Sequence, residues 1–173
     1  MVLTSLAQVA ALRQSIFANT SASLARLRQQ ADTQDALAFF TSLKFEPIGM
    51  DPISGKDLNF IEQLNQTFSD LVVLAAAQDL MARFPEKSFD VQLGATPGYD
   101  IHSTDGTVVA ECFSATKVSS NNKLNKDCKK LLAADAPEKY LYFYSHTDST
   151  GSIQNRQARY PDLHFVRIPS FDL

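Results

Sequence analysis

Apolar residues along this chain recur first with a helical rhythm, then with a strand rhythm, and then with the two interleaved. Leu3, Leu6, Val9, Ala10, Ile16 and Phe17 lie at near-helical spacing, and Leu24 and Leu27 continue the series beyond Asn19-Thr20-Ser21. That triplet can cap a second segment, so residues 3 to about 43 read as one long helix or as two. A shorter helix over about Asp35 to Leu43 carries Leu37, Phe39, Phe40 and Leu43. The run Glu46-Pro47-Ile48-Gly49-Met50-Asp51-Pro52 is dense in breakers and predicts a linker. It divides an N-terminal helical segment (1–50) from an α/β core (51–173). Ser54 with Asp57 matches a helix start, and Phe84-Pro85 marks the end of that helix. Ile61, Leu64, Phe68, Leu71, Val72 and Ala75 form its expected buried stripe, beside a polar stripe of Glu62, Asn65, Gln66 and Ser69.

Period-two alternation then takes over. In Ser88 to Leu93, Phe89, Val91 and Leu93 point inward while Asp90 and Gln92 point outward. Asp105-Gly106 is a strong hairpin signal, because a type I′ turn needs positive φ at both central residues. It joins Tyr99–Ser103 to Val108–Phe113. Ser119 to Asn122 supply cap residues for a helix of about Lys123 to Ala134, whose apolar face is Leu124, Cys128, Leu131 and Leu132. Lys139 to Tyr144 reads as a buried strand reached by a helical crossover, hence parallel to Val108–Phe113. His146 to Asn155 is expected to be a polar loop, and Leu163 to Ile168 the last strand, closed by Pro169.

Composition narrows the class. The 173 residues, 45% of them hydrophobic, suit one domain, or one domain with an appendage. A net charge of −3 gives no global basic signature for nucleic acid, though a local one exists: Lys123, Lys126 and Lys130 share a helix edge, opposed there by Asp127 alone. Cys112 and Cys128 lack zinc spacing and read as buried thiols in a reducing cytoplasm. No signal peptide is visible, and the most apolar run, Leu71 to Ala77, is far too short to span a membrane.

The candidate chemistry follows from the hairpin. A turn centred between Asp105 and Gly106, or a four-residue loop with the same centre, sets Ile101 opposite Ala110 and Asp100 opposite Glu111. Directly opposed residues lie roughly 4.5–5.5 Å apart at Cβ, where like charges destabilise a sheet. Solvent, a shared proton or a divalent cation with oxygen ligands would offset the repulsion. Val108, Val109, Ala110 and Phe113 enclose Glu111 in apolar sequence, which favours the cation over a wet pair. His102 shares a strand face with Asp100 and reads as a satisfied polar group.

Asp100, Glu111 and the helix after them resemble the PD-(D/E)xK nuclease superfamily, the fold of many restriction and DNA-repair enzymes, over roughly residues 56 to 168. The resemblance implies a restriction-endonuclease-like mixed sheet with flanking helices, an α-β-β-β-α-β core carrying an N-terminal helical appendage. It implies a divalent-metal-dependent endonuclease acting on DNA, of a restriction, defence or phage-related kind. Mg²⁺, with Mn²⁺ as substitute, would be held by Asp100, Glu111 and the main-chain carbonyl of Cys112. Glu62 would be the acidic residue many members carry on the first helix. One position departs: the third motif reads Glu111-Cys112-Phe113, with Phe113 where the family has lysine. Some members recruit a lysine from the following helix. Lys117 is about 20 Å away along an extended strand, so Lys126 is preferred, ahead of Lys123. Asn122, Lys123, Lys126 and Lys130 would contact nucleic-acid phosphates, and the N-terminal helices would offer a homodimer interface. The alternative is a catalytically silent nuclease-fold protein that binds nucleic acid or a protein partner.

Overall fold

The computed structural model describes residues 1–94, 97–117, 122–146 and 150–171, apart from the side chains of Thr150 and Ser152. Contacts group the chain into two compact units, residues 7–70 and residues 1–6 with 71–173. The sequence division at residue 50 does not coincide with this grouping. The breaker-rich run there does not act as a linker: Gly49–Met50 (β2) pairs antiparallel with Asp57–Leu58 (β3) in a two-stranded ribbon inside the helical unit.

That unit holds helix α1 (Leu6–Ala31) and helix α2 (Ala36–Phe45). Helix α1 runs unbroken through Asn19-Thr20-Ser21; Asn19 instead turns its amide to the carbonyl of Pro52 at 2.9 Å. Asp35 caps α2 by accepting the N–H groups of Leu37 and Ala38. Helix α3 (Phe60–Arg83) begins later than Ser54 and Asp57 suggest, because Asp57 is in β3 and Asn59 accepts the Glu62 N–H at 2.8 Å. Its expected buried stripe also shifts in the first half. Ile61, Leu64 and Phe68 are exposed, whereas Gln63, Thr67 and Asp70 are buried. Gln63 is placed inside because its Oε1 accepts the Met50 N–H of the ribbon.

The second unit is built on a six-stranded sheet in the order β1-β4-β5-β6-β7-β8. Its strands are Val2–Leu3 (β1), Phe89–Val91 (β4), Ile101–Ser103 (β5), Val108–Ala115 (β6), Glu138–Ser145 (β7) and His164–Arg167 (β8). The first four are antiparallel in sequence of contact, and β6, β7 and β8 run parallel. From α3 onward the order α3-β4-β5-β6-α4-β7 is the α-β-β-β-α-β succession expected, an α/β fold with flanking helices. Two elements were not expected. Residues 2 and 3 join the sheet beside β4, and part of the anticipated polar loop is a helix, α5 (Thr150–Arg159).

Strand alternation gives the sheet two faces. On one, Tyr142 reaches Asp79 of α3 and Tyr140 stands edge-on to Phe84, and α3 buries Leu71 to Leu74, Ala76, Ala77 and Leu80. On the other, Val109, Phe113, Leu141 and Phe143 pack with Leu124, Cys128 and Leu131 of helix α4 (Lys123–Leu132), and Ile153 of α5 lies against the same cluster. Burying side chains of this size stabilises by about 1.5–3 kcal/mol each, which fixes the rotation of α4 over the sheet.

Candidate active site

Glu111 occupies the α4 face of β6 between Val109 and Phe113, so a carboxylate sits in an otherwise apolar row. The hairpin that presents it closes through Thr104 to Thr107. Gly106 has φ +75°, while Asp105 keeps negative φ, so the turn is not type I′. Asp105 instead accepts from Ser103 Oγ at 2.6 Å, from the Thr107 N–H at 3.1 Å and from Lys87 at 2.6 Å. These bonds hold its carboxyl well below the usual range, the Lys87 bond first among them. The four-residue loop preserves the anticipated register: Ile101 pairs with Ala110 and His102 with Val109. Continuing that register sets Asp100, one residue before β5, opposite Glu111.

Asp100 Oδ2 accepts the Cys112 N–H at 2.6 Å, which ties the acid to the neighbouring strand. The Cys112 thiol lies on the other face by alternation, buried, with its pKa pushed far up by burial. Only its main chain can serve Asp100. Glu111 is 3% exposed. Burial raises its pKa to about 7, with Asp100 and Asp127 adding to the rise and Lys130 opposing it. Burial raises Asp100 as well, against the Cys112 hydrogen bond and the charges of Lys123 and Lys130.

Helix α4 supplies the counter-charges. Lys130 forms an ion pair with Glu111, donates to the Gly98 carbonyl and lies 5.1 Å from the centre of the Tyr99 ring. Gly98 accommodates this with φ +119°, a conformation glycine adopts at little cost. Lys123 lies 3.3 Å from Asp127, one turn on, and Asp127 is itself buried at 6% exposure. Burial pushes Asp127 up against the opposing charge of Lys123. Burial alone would lower the Lys123 pKa, but Asp127, Asp100 and Glu111 together outweigh it and raise it. Among the described residues, the cluster therefore holds three carboxylates and two ammonium groups.

The structure thus brings together Asp100, Glu111, the Cys112 main chain, Lys123 and Lys130. Lys126 and Asn122 are exposed on α4. Lys130, two turns beyond Lys123, is the lysine that meets Glu111, where Lys126 was the preferred candidate. Asn122 adopts φ +53° and makes no side-chain cap; its Oδ1 accepts from Asn125. The anticipated caps Ser119, Ser120 and Asn121 lie outside the described residues. Glu62 is exposed on the first turn of α3 and belongs to the helical unit. Phe113 is buried in the core. Asp127 was missed as a member of the site. Its signal was present: an acid at the helical spacing of the apolar positions Leu124, Cys128 and Leu131.

Among the described residues, no group of three or more His, Cys, Asp or Glu side chains is arranged to hold a metal ion. Asp127 joins the acidic pair through its charge. No described helix is long and apolar enough to cross a membrane. No known protein family matches the chain, and no curated protein matches it. Among solved structures, protein VC1899 from Vibrio cholerae is similar at 12% identity and a TM-score of 0.36. The match covers 94% of this chain and spans about half (49%) of that one.

Proposed function

We propose that the protein is a divalent-metal-dependent endonuclease that hydrolyses phosphodiester bonds, with DNA as its substrate. One observation carries the reading: Asp100, half-buried, and Glu111, buried, from adjoining antiparallel segments, belong to one charged cluster in which, among the described residues, the acids outnumber the lysines. With all five groups ionised, one negative charge is left over. A divalent cation together with the single negative charge of a phosphodiester brings the cluster to neutrality, whereas a further buried carboxylate without a counter-charge is costly.

Two carboxylates suit Mg²⁺, which binds through one or two of them and takes further ligands from water and substrate phosphate. Asp100 and Glu111 would hold the ion, with the carbonyl of Cys112, next to Glu111 on β6, as a further ligand; Mn²⁺ would substitute. Once bound, such an ion polarises a phosphoryl oxygen and lowers the pKa of a coordinated water. Lys130 places an ammonium at the same spot, where it stabilises negative charge developing on the phosphate. Lys123 and Lys126 neutralise flanking phosphates, which makes binding salt-dependent. Glu62 takes no part in this reading.

Phe113, buried where the family motif carries lysine, favours a second reading: a catalytically silent nuclease-fold protein that binds nucleic acid or a protein partner. Incubating plasmid, single-stranded DNA and RNA with Mg²⁺ or Mn²⁺ separates the two, with Asp100→Ala as control. Cleavage by wild type alone supports the enzyme; identical behaviour of the two proteins refutes it. Self-association through the N-terminal helices is supported by Leu24, Leu37, Phe40 and Phe45, all exposed on the helical unit. Light scattering on the purified chain tests it, and a monomeric mass rejects it.

A further inference from the structure

Beside the acidic cluster, between the β5–β6 hairpin and the chain that follows α4, lies an open groove of about 480 Å³. Val109 and Ala134 form part of its apolar floor, Tyr99 is an aromatic wall, and His102 and Asp135 bring polar groups. It adjoins the site at two points. Tyr99 is next to Asp100 in the chain and carries the Lys130 ammonium against its ring. Val109 is two residues from Glu111 on the same face, about 6.5 Å along the strand. A polymer whose phosphate sits at the acids and lysines therefore has its next group at the groove.

The groove's charge says which group that is. Its rim contains Asp135 and the C-terminal end of α4, whose backbone dipole is negative. Both repel phosphate, while the Lys130 ammonium, held at Gly98 and against Tyr99 where these two line the groove, attracts it. A groove with an aromatic wall and a carboxylate on its rim suits a flat heterocycle that offers N–H donors, as the exocyclic amines of adenine, cytosine and guanine do. In a duplex those edges are engaged by the partner strand, and a base reaches a lateral groove only by leaving the stack.

We propose that this groove receives the base of the nucleotide beside the scissile phosphate, so that the substrate is single-stranded nucleic acid. The proposal rests on the nuclease reading above, and deepens it by naming the strand state the site accepts. Tyr99 contributes stacking, which is tolerant of sequence because every base has a π-face, and Asp135 accepts from the exocyclic amine.

The test uses a single-stranded DNA oligonucleotide of defined sequence whose cleavage position has been mapped with Mg²⁺. Abasic sites then replace the nucleotide on each side of that position in turn. With wild-type protein, one of the two substitutions should raise KM about 10-fold or more with little change in kcat. Ala134→Phe, which fills the groove without touching the acids or lysines, should give the same rise on the intact strand and none on that abasic strand. The duplex should be cut more slowly than the single strand. Equal KM for intact and both abasic strands with wild-type protein overturns the groove assignment even if Ala134→Phe fails to fold. Preferred cutting of duplex overturns it too. Metal-free binding by fluorescence anisotropy keeps the two readings apart. Equal affinity for intact and abasic strands sinks the groove alone, whereas absence of cleavage with an intact base preference in binding sinks the nuclease.

Discussion

On the α3 face of the sheet, Asp79 accepts the Tyr142 hydroxyl at 2.5 Å and the Arg83 Nε–H at 2.6 Å. On the α4 face, Asp127 pairs with Lys123 and Glu111 with Lys130, while Asp100 accepts the Cys112 N–H and has no described ion pair of its own. Both faces place ionisable groups against apolar layers, yet the bookkeeping differs. Around Asp79 one acid faces one guanidinium, and Tyr142, fully buried, stays protonated because burial and the adjacent carboxylate drive its pKa up. Around Glu111 the charges do not cancel, and burial pushes all three carboxylates up. A balanced polar cluster holds a helix to a sheet. The proposed cation site rests on the unbalanced one, and this difference, more than burial itself, distinguishes it from structural polarity.

The comparison breaks most readily at the acids. Asp100→Ala should reduce metal-dependent cleavage at least about 100-fold while the far-ultraviolet circular dichroism stays unchanged; retention of activity would dissolve the proposed centre. Next comes the choice of lysine. Lys130→Ala should lower kcat by about 10-fold or more, whereas Lys126→Ala should change it less than about 2-fold and mainly weaken salt-dependent binding. The reverse ranking would return the catalytic role to Lys126.

The third test is titration of the metal-free protein. Glu111 rises from an ordinary 4.5 to about 7 in the folded chain. Its contribution to stability is therefore complete below the lower value and lost as pH rises through the upper one. Denaturant unfolding should show wild type losing on the order of 2 kcal/mol relative to Glu111→Gln between about pH 5 and pH 8. Parallel pH profiles would contradict the raised carboxyl. The smallest effect belongs to the opposite face. Tyr142→Phe should cost about 1 kcal/mol by denaturant unfolding and leave cleavage untouched; a loss of activity there would show that the two faces are coupled.

Much of this architecture is readable from residue order, for local reasons. The hairpin register depends only on where the turn is centred, so Asp100 and Glu111 could be brought opposite one another by counting, although the turn type differs. The α4 and β7 positions follow from apolar spacing and the crossover. What was not legible depends on distant partners. Which lysine reaches Glu111 is decided by how Leu124, Cys128 and Leu131 seat α4 on the sheet, and that rotation turns Lys130 toward Glu111. Ile61, Leu64 and Phe68 fit an apolar stripe as well as any residues do, but Gln63 wins the interior through its bond to Met50. Helix α5 has a glycine and polar residues in its first turn, so its sequence resembles a loop until Ile153 finds the core. Strand β1 is too short for any periodicity to register.

The hairpin loop from Thr104 to Thr107 works as a ruler for the proposed chemistry. Strand side chains alternate, so deleting or inserting a single residue that slips the β5–β6 register would carry Asp100 to the α3 side while Glu111 stayed under α4. Length variation in that loop, normally among the most tolerated changes on a protein surface, should here act as an on–off control.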